Sequence, residues 1–215
     1  MADRELPEDL ARRFDSADGI GADELHEALD TLDDEGRVVF TRSLNKGRQE
    51  RLWELAEGHM QGNTGLLVPD DIAPGATVIF EGRNSMPMFN LFQKRFTRPL
   101  ETDEIWGYNH QAWAWFTGPG YFVVNEDTDR GVLVFDYDRL PERALDGWPT
   151  LRPNTGFPPA VVYGNMYDEV RPVCGHILIG KMLLKQSQDK GAFSKLVDST
   201  LRTSQMFTIC RHAVA

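Results

Sequence analysis

Residues 117–140, which read TGPGYFVVNEDTDRGVLVFDYDRL, constrain the fold more than any other stretch of this chain. Two runs rich in β-branched and aromatic residues flank a polar turn centred on residues 126–131, and this pattern is typical of a β-hairpin. Strand side chains alternate between two faces. In the first arm Tyr121, Val123 and Asn125 are predicted to face one way and Phe122 and Val124 the other; in the second arm Val132, Val134 and Asp136 are predicted to lie opposite Leu133, Phe135 and Tyr137. Because both faces are bulky, the hairpin favours a barrel around a cavity.

The composition bounds the class of protein. With 215 residues, of which 41% are apolar, the chain can bury a core as one large domain or as a barrel with a small appendage. Its net charge of −10 argues against nucleic acid as a partner, because phosphate binding needs clustered Lys and Arg. Residues 1–60 hold 16 acids and 8 bases, so most of this negative charge belongs to the N-terminal segment.

The sequence also bears on where the protein acts. The first fifteen residues are too charged for a secretory signal, and no apolar run approaches the roughly 18 residues of a membrane span. Two cysteines cannot form a disulfide framework for a chain of this size. We therefore expect a cytoplasmic protein with no membrane span.

Residues 6–58 are predicted to form three or four short helices. Leu25, Ala28, Leu29 and Leu32 follow a helical apolar stripe, Asp33 and Asn45 are placed to cap the next two helices, and Gly58 stops the last. Such short helices are marginal alone, so they must pack on one another or on the rest. The predicted organisation is an acidic helical segment over 1–62, a Gly- and Pro-rich linker over 63–75, and a barrel domain over 76–215.

After the linker the pattern changes from helical to extended. Candidate strands cover residues 77–83, 88–97, 104–110, 112–117, the two arms of the hairpin, 160–167, 176–185 and 205–212. Short turns between them favour an antiparallel barrel of about nine to ten strands over a parallel sheet. The fold class is therefore α+β, with a bundle of short helices packed on the barrel. Residues 140–159 are predicted to form a long loop over one barrel end, and residues 193–202 a further helix.

Several pieces of this body carry a recurring pattern: EGRNSMPMFNLFQKRF, IWGYNHQ, TGPGYFV, VFDYDRLP, YDEVRPVCGHILIGKML and MFTICR. They resemble the successive strands of lipocalin-like (calycin-type) small-molecule-binding barrels of bacteria. The matching positions are the K-x-F of 94–96, the D-Y of 136–137, the D-E-V-R-x-V of 168–173 and the I-G of 179–180. Helices before such a barrel also resemble the layout of the catalytic domain of dinoflagellate luciferase, which oxidises an open-chain tetrapyrrole. The resemblance implies a barrel over about residues 76–212 and a small hydrophobic ligand.

A ligand pocket needs aromatic walls and a few polar groups that fix orientation. The sequence offers such residues within a short span, and strand 88–97 adds more. The predicted ligand-binding residues are Trp106, Asn109, His110, Trp115, Phe116, Tyr121, Phe92, Lys94 and Arg171. The alternative is structural, because Trp and Tyr also fill barrel interiors and cap barrel mouths. A ligand carboxylate would find Lys94, Arg83 and Arg171 as partners.

Two C-x-H triplets, Cys174 with His176 and Cys210 with His212, form a weak candidate metal site. Residues at i and i+2 share a strand face, so four ligands of the types that zinc prefers could converge if the last two strands are neighbours. The spacing is not that of common zinc sites. The sequence therefore predicts ordinary strand residues here, and neither a metal nor a cofactor.

Acid–base chemistry is the third possibility. Glu81, His110, Asp136, Asp168, Glu169 and His176 could move protons, and Tyr108, Tyr121 and Tyr137 could donate to an oxyanion. The predicted catalytic set is His176, Tyr108 and Glu169.

The predicted function is binding of a small hydrophobic or aromatic molecule (a lipid, polyene or tetrapyrrole-like compound) in a barrel gated by the helices, where His26 and His59 would gain charge as the pH falls. The alternatives are an enzyme in the same cavity, either a luciferase-like oxidase or an isomerase or cyclase, and a protein-interaction module.

Overall fold

The computed structural model describes residues 8–16, 19–86, 90–112, 114, 118–154, 163–185 and 205–215. Its N-terminal part contains four α-helices, as the apolar stripes predict. Their bounds are α1 Glu8–Asp15, α2 Ala22–Asp30, α3 Asp34–Ser43 and α4 Lys46–Leu55. No described helix is long and apolar enough to cross a membrane.

Both predicted helix caps are present. The Asp33 side chain accepts a hydrogen bond from the backbone N–H of Gly36 at 2.8 Å, and the Asn45 side chain accepts one from Arg48 at 3.0 Å. Each bond satisfies an N–H group that the first turn of a helix leaves without a partner. After α4, Gly58 adopts a positive φ of 65°, which glycine tolerates best, and the chain turns away.

The strands in the rest of the described chain form a closed antiparallel barrel. Each strand pairs with the next along the chain, and the last pairs with the first. The strands are β1 Val78–Asn84, β2 Leu91–Thr97, β3 Ile105–His110, β4 Phe122–Asp127, β5 Val132–Asp136, β6 Met166–Pro172, β7 Ile177–Leu184 and β8 Met206–Val214. The fold class α+β is therefore confirmed, and closure leaves no sheet edge unpaired between the first and last strands.

The predicted number of strands was wrong, since the barrel has eight and not nine to ten. β3 pairs directly with β4, with Ile105 opposite Val124, and most of the strand predicted over 112–117 lies outside the described residues. The strand predicted from residue 160 begins instead at Met166, after Asn165 with a positive φ of 56° that ends the preceding turn.

The alternation predicted for the hairpin is confirmed. Phe122 and Val124 of β4 and Leu133 and Phe135 of β5 belong to the core inside the barrel. The rings of Phe122 and Phe135 stack with centroids 5.0 Å apart. This inner core draws on all eight strands, because every second residue of each strand points inward.

A second core lies outside the barrel, where the helices pack on β7 and β8. It joins Leu29 and Leu52 of the helices to Ile177 and Ile179 of β7 and to Cys210 of β8. α3 also contacts β1, and α4 contacts both β7 and β8. Burying each such aliphatic side chain contributes roughly 1.5–3 kcal/mol, so the barrel wall supplies the partner that these short helices need.

The segment predicted as a linker packs into the barrel core. A 3-10 helix spans Thr64–Leu66, and Leu67 and Val68 after it are fully buried within the inner core. The Glu126 carboxylate of β4 accepts hydrogen bonds from both the backbone N–H and the hydroxyl of Thr64, at 2.6 and 2.8 Å. These contacts make residues 64–68 part of the packed barrel domain.

The described part of the predicted long loop covers the outer face of β3 and β4. The Trp148 ring lies 4.7 Å from the Tyr108 ring and 6.0 Å from the Tyr121 ring, and its indole N–H donates to the Thr77 hydroxyl at 2.8 Å. Asn154 donates to the carbonyl of Tyr121 at 2.8 Å, which holds the segment in place. The helix predicted over 193–202 lies outside the described residues.

Candidate functional site

An ammonium group lies inside the barrel. Lys94 shares one face of β2 with Phe92 and Phe96, so the sequence pattern that directs the two aromatic rings inward directs the lysine inward too. Its side chain is only 2% exposed. The Nζ atom donates hydrogen bonds to the Asn109 carbonyl oxygen at 2.8 Å, to the Tyr137 hydroxyl at 2.7 Å and to the Asp168 carboxylate at 3.1 Å.

The partners of Lys94 are also bonded to one another. The Tyr137 hydroxyl donates to Asp168 at 2.9 Å and accepts from the Asn109 amide at 3.2 Å. The same amide donates to the carbonyl of Gly120 at 3.2 Å. We call Lys94, Asn109, Tyr137 and Asp168 the interior polar network. Its members come from β2, β3, the residue that follows β5, and β6, so closure of the barrel is what brings them together.

Aromatic rings surround the ammonium group. The Nζ atom of Lys94 lies 4.7 Å from the ring centroid of Phe207, 4.8 Å from that of Phe122 and 5.4 Å from that of Phe135. A cation at this distance from an aromatic ring is attracted by the ring quadrupole, and the attraction strengthens where water is excluded. The rings therefore stabilise the charged form of Lys94 and form an apolar wall beside it.

The pKa values inside the barrel follow from burial. Removal from water lowers the pKa of Lys94 below its ordinary 10.5, and the Asp168 carboxylate opposes this effect without cancelling it. Burial raises the pKa of Tyr137 well above its ordinary 10.0, and the nearby Asp168 charge adds to the rise. The phenol therefore holds its proton firmly, while the ammonium group releases its proton more readily than a surface lysine does.

Stability does not explain this arrangement. A buried ion pair can often be replaced by apolar residues with no loss, or with a gain of about 1–4 kcal/mol, because taking both charges out of water is costly. Lys94 and Asp168 are both almost fully buried. Titratable groups with shifted pKa values inside a protein cluster at functional sites, which makes the interior polar network the candidate site.

The predicted ligand-binding residues divide between the two faces of the barrel. Phe92, Lys94 and Asn109 lie on the inner face, beside the interior polar network. Trp106, His110, Tyr121 and Arg171 lie on the outer face, because they alternate with inward residues such as Ile105 and Asn109 on β3 and Phe122 on β4. Trp115 and Phe116 lie outside the described residues.

The outward residues have structural partners of their own. The indole N–H of Trp106 donates to Glu104 at 3.0 Å, and the Tyr121 hydroxyl donates to the carbonyl of Pro149 at 2.5 Å. The guanidinium of Arg171 stacks on the Trp53 ring, 3.8 Å from its centroid. The Tyr121 contact attaches the segment around Pro149 to the barrel wall, and the Arg171 contact attaches α4 to it.

The structure does not bring Tyr108, Glu169 and His176 together, and each of them contacts a different arginine. The Tyr108 hydroxyl accepts from Arg95 at 3.3 Å, Glu169 accepts from Arg130 at 2.6 Å, and the His176 Nδ1 atom lies 2.7 Å from the Arg211 guanidinium. Burial, followed by the charges of nearby arginines, lowers the pKa of His176. All three side chains lie away from the interior polar network.

Four described residues make up the weak candidate metal site. The final two strands are neighbours, as the site requires, with Ile177 opposite Cys210. Cys174 and Cys210 are buried free thiols whose pKa values burial raises to about 12, whereas His212 is exposed. Among the described residues, these four included, no group of three or more His, Cys, Asp or Glu side chains could hold a metal ion.

The sequence identified each member of the interior polar network separately and did not indicate that they contact one another. Asp168 was an acid–base candidate, Tyr137 an oxyanion donor, and Lys94 and Asn109 ligand-binding residues. A usable signal was present in the strands themselves, because F-x-K-x-F and M-x-D-x-V each place one charge among inward-facing apolar residues. Two opposite charges on the buried faces of different strands predict an ion pair between them.

The resemblance to lipocalin-like barrels is supported by architecture alone, as a closed antiparallel eight-stranded barrel accompanied by a few helices. Neither a calycin nor a luciferase relationship has support from shared sequence. No protein-family model matches this chain, and no curated protein sequence matches it at a significant level.

Proposed function

We propose that the barrel binds a small, largely apolar molecule and recognises one polar group of that molecule through the interior polar network. The observation that supports this is the buried Lys94–Asp168 pair, 3.1 Å apart and surrounded by aromatic rings. A site with apolar walls and a few convergent polar groups is the usual form of a small-molecule pocket. The ligand class is the one predicted from sequence, namely a hydrophobic or aromatic compound of the lipid, polyene or tetrapyrrole type.

The charges in the network favour a neutral polar group. Of the three cations considered for a ligand carboxylate, Arg83 and Arg171 lie on the outer face, where Arg83 donates to the carbonyl of Arg42. The third, Lys94, is already paired with Asp168. A carboxylate ligand would compete with Asp168 for one ammonium group and leave a buried charge without a partner, which is costly. A hydroxyl group can donate to the Asp168 carboxylate, which accepts several hydrogen bonds, and so can join the network without that cost.

The test uses three fluorescent probes of similar size, namely naphthalene, naphthol and naphthoate, titrated into the intact protein. We expect naphthol to bind tightest and naphthoate weakest. The double variant Lys94→Met, Asp168→Asn removes both charges together and should weaken naphthol binding by about ten- to a hundredfold, the usual effect of a hydrogen bond to a charged group, and leave naphthalene binding nearly unchanged.

A matched control neutralises an exposed pair instead. Lys46 and Glu50 lie 3.9 Å apart on the surface of α4, and the double variant Lys46→Met, Glu50→Gln makes the same kind of change there. It should bind all three probes as the wild type does. Equal affinities for the three probes, in the wild type and in the interior variant alike, would contradict the proposal.

An enzyme in the same cavity is the second candidate. Tyr137 donates to Asp168 and accepts from Lys94, and such a chain of hydrogen bonds can pass a proton to and from a bound molecule. Proton transfer of this kind favours an isomerase over an oxidase, because it needs no oxidant. Tyr137→Phe keeps the ring and removes the hydroxyl. In an isomerase this change should abolish turnover with little loss of affinity, and in a binding protein it should alter affinity alone.

The other predicted roles have less support. A protein-interaction module would expose a large apolar patch on the helices. Among the described residues the exposed large apolar side chains are Leu91, Leu100 and Val214, none of which lies on a helix. Gating by the helices stays a prediction. Their packing on the outer face of β1, β7 and β8 supports a wall-bracing role better than a lid, and an unchanged ligand on-rate between pH 8 and pH 6 would count against gating.

A further inference from the structure

Two histidines from separate elements face each other on the surface of the helical bundle. His26 lies on α2, and His59 follows α4, next to Gly58. The Nδ1 atom of His26 is 3.3 Å from the Nε2 atom of His59, and the two rings meet edge to face with centroids 5.3 Å apart. Both side chains are partly buried, so the pair has a fixed geometry that water can still reach.

The outer nitrogen of each ring faces an aspartate. His26 Nε2 lies 3.0 Å from the Asp30 carboxylate, and His59 Nδ1 lies 3.5 Å from that of Asp23. An ionised carboxylate only accepts hydrogen bonds, so each aspartate favours the tautomer that carries its ring proton on the outer nitrogen. The inner nitrogens, 3.3 Å apart, form a hydrogen bond when one of them carries a proton, and both can offer lone pairs to a metal ion when neither does.

The geometry suits a metal ion in that position. Imidazole nitrogens bind Zn²⁺ at about 2.0–2.1 Å, and a tetrahedral angle at the metal then separates two ligand nitrogens by roughly 3.3–3.4 Å. The observed separation of 3.3 Å matches this value. Metal-ligating histidines also usually donate their other ring N–H to a carboxylate, which fixes the tautomer. Asp23 and Asp30 hold that position here.

The surroundings leave room for further ligands and favour a cation. A surface pocket of about 380 Å³ is lined by Asp23, His26, Glu27, His59 and Met60. Three carboxylates among or beside these residues give the pocket a negative potential. No group of three or more metal-ligating side chains is assembled in the described residues, so water must complete the coordination.

We propose that His26 and His59 form a binding site for a divalent transition-metal ion of the Zn²⁺, Ni²⁺ or Cu²⁺ type. The protein supplies two imidazoles, and the ion exchanges readily with solvent. Since a two-nitrogen site does not select by geometry, affinity follows the intrinsic order, with Cu²⁺ tightest. The bound ion links α2 to the segment after α4 and so stabilises the folded bundle by mass action.

The test titrates Cu²⁺, Ni²⁺ and Zn²⁺ separately into the full chain, and follows binding by calorimetry and the melting temperature. We expect one ion per chain, the highest affinity for Cu²⁺, and a melting temperature that rises with metal concentration. Electron paramagnetic resonance of the Cu²⁺ complex should show splitting from two imidazole nitrogens. Asp30→Asn should weaken binding by about ten- to a hundredfold, because it removes the carboxylate that orients His26.

The variants that remove the site are chosen to keep the fold. His26→Gln retains a donor for Asp30, and His59→Asn retains a donor for Asp23, while each removes an inner nitrogen. Either change should abolish the tight binding step and the metal-dependent rise in melting temperature. His212→Ala, which removes an exposed histidine on β8, should change neither. Undiminished binding in the His26 and His59 variants would overturn the proposal, and so would a wild type that binds no ion, with the pair sharing a proton instead.

Discussion

Lys94 shows how one inward position on a strand changes the character of a core. Its neighbours at i−2 and i+2 are Phe92 and Phe96, and its ammonium group has three oxygen partners within the barrel. Each donor of the ammonium group is therefore matched, which is the condition for holding a charge away from water. The network is satisfied as a unit, so removing single members has a different effect from removing the charges together.

Removing one charge should destabilise the protein more than removing both. We expect Lys94→Met alone to lower the free energy of unfolding by about 3–5 kcal/mol, because Asp168 is left buried without a counter-charge. Adding Asp168→Asn should restore most of that loss. Urea unfolding of the wild type, the single variants and the double variant measures the coupling. Additive losses would show that the two side chains do not act as a pair.

The shifted pKa of Lys94 also predicts a pH dependence of stability. Since burial lowers this pKa below 10.5, the unfolded chain binds more protons than the folded chain between the lowered value and 10.5. The free energy of unfolding of the wild type, relative to the Lys94→Met, Asp168→Asn variant, should therefore rise with pH across that interval. Urea unfolding in steps from neutral pH to pH 10 measures this difference. A difference that falls with pH would contradict the assigned direction.

The interior polar network could be predicted only residue by residue. Lys94, Asn109, Tyr137 and Asp168 are all visible as polar side chains in apolar strands. Their meeting depends on barrel closure and on the registers of five successive strands, β2 to β6, which no local pattern contains. Sequence periodicity likewise separates two faces of β3 without saying which is inward, so the outward Trp106 was predicted to line the cavity.

For single helices and strands, the predictions based on side-chain alternation and on unpaired backbone N–H groups were correct. The hairpin faces and the caps at Asp33 and Asn45 follow from alternation and from backbone N–H groups that need partners, and all are confirmed. The predicted count of nine to ten strands was too high, because apolar alternation alone does not show whether a short run joins the barrel. The linker over 63–75 was identified by its Gly and Pro content, which does not reveal that Leu67 and Val68 are core residues.

The cap of α3 offers a direct test at this scale. Asp33→Ala removes the acceptor for the Gly36 N–H and should lower the free energy of unfolding by about 1 kcal/mol, within the 0.5–2 kcal/mol range of cap replacements. Asp33→Asn keeps an acceptor and serves as the matched control. Thermal unfolding of both variants beside the wild type measures the effect. Equal losses in the two variants would mean that the hydrogen bond contributes nothing.

In the whole molecule, β7 and β8 contribute side chains to two hydrophobic cores, one on each face of the barrel wall. Their inward residues, such as Leu178 and Ile209, fill the barrel, while Ile177 and Cys210 on the opposite face meet the helices. Both cysteines of the chain lie in the outer core. Their thiols are therefore natural reporters of helix docking.

Loosening the helices should expose these thiols before the barrel opens. Leu52→Ala, in the fully buried face of α4, should lower the stability of the docked state by about 2–5 kcal/mol and accelerate labelling of Cys174 and Cys210 at least tenfold. Leu133→Ala, an equally buried change inside the barrel, is the control. Timed reaction with a chromophoric disulfide measures both. Equal acceleration by the two variants would show that the thiols are reached only through global unfolding.

The position of β8 between β1 and β7 has a consequence for synthesis on the ribosome. Neither core is complete until residues 206–214 have left the ribosome, although the helices that pack on this wall are translated first. At usual translation rates the roughly 150 intervening residues take about 8–30 s. Until β8 is made, the helices can pack on one another but lack part of the wall that covers their apolar stripes. These helices therefore reach their full set of contacts only at the end of that interval, and the nascent chain has to be kept from aggregating in the meantime.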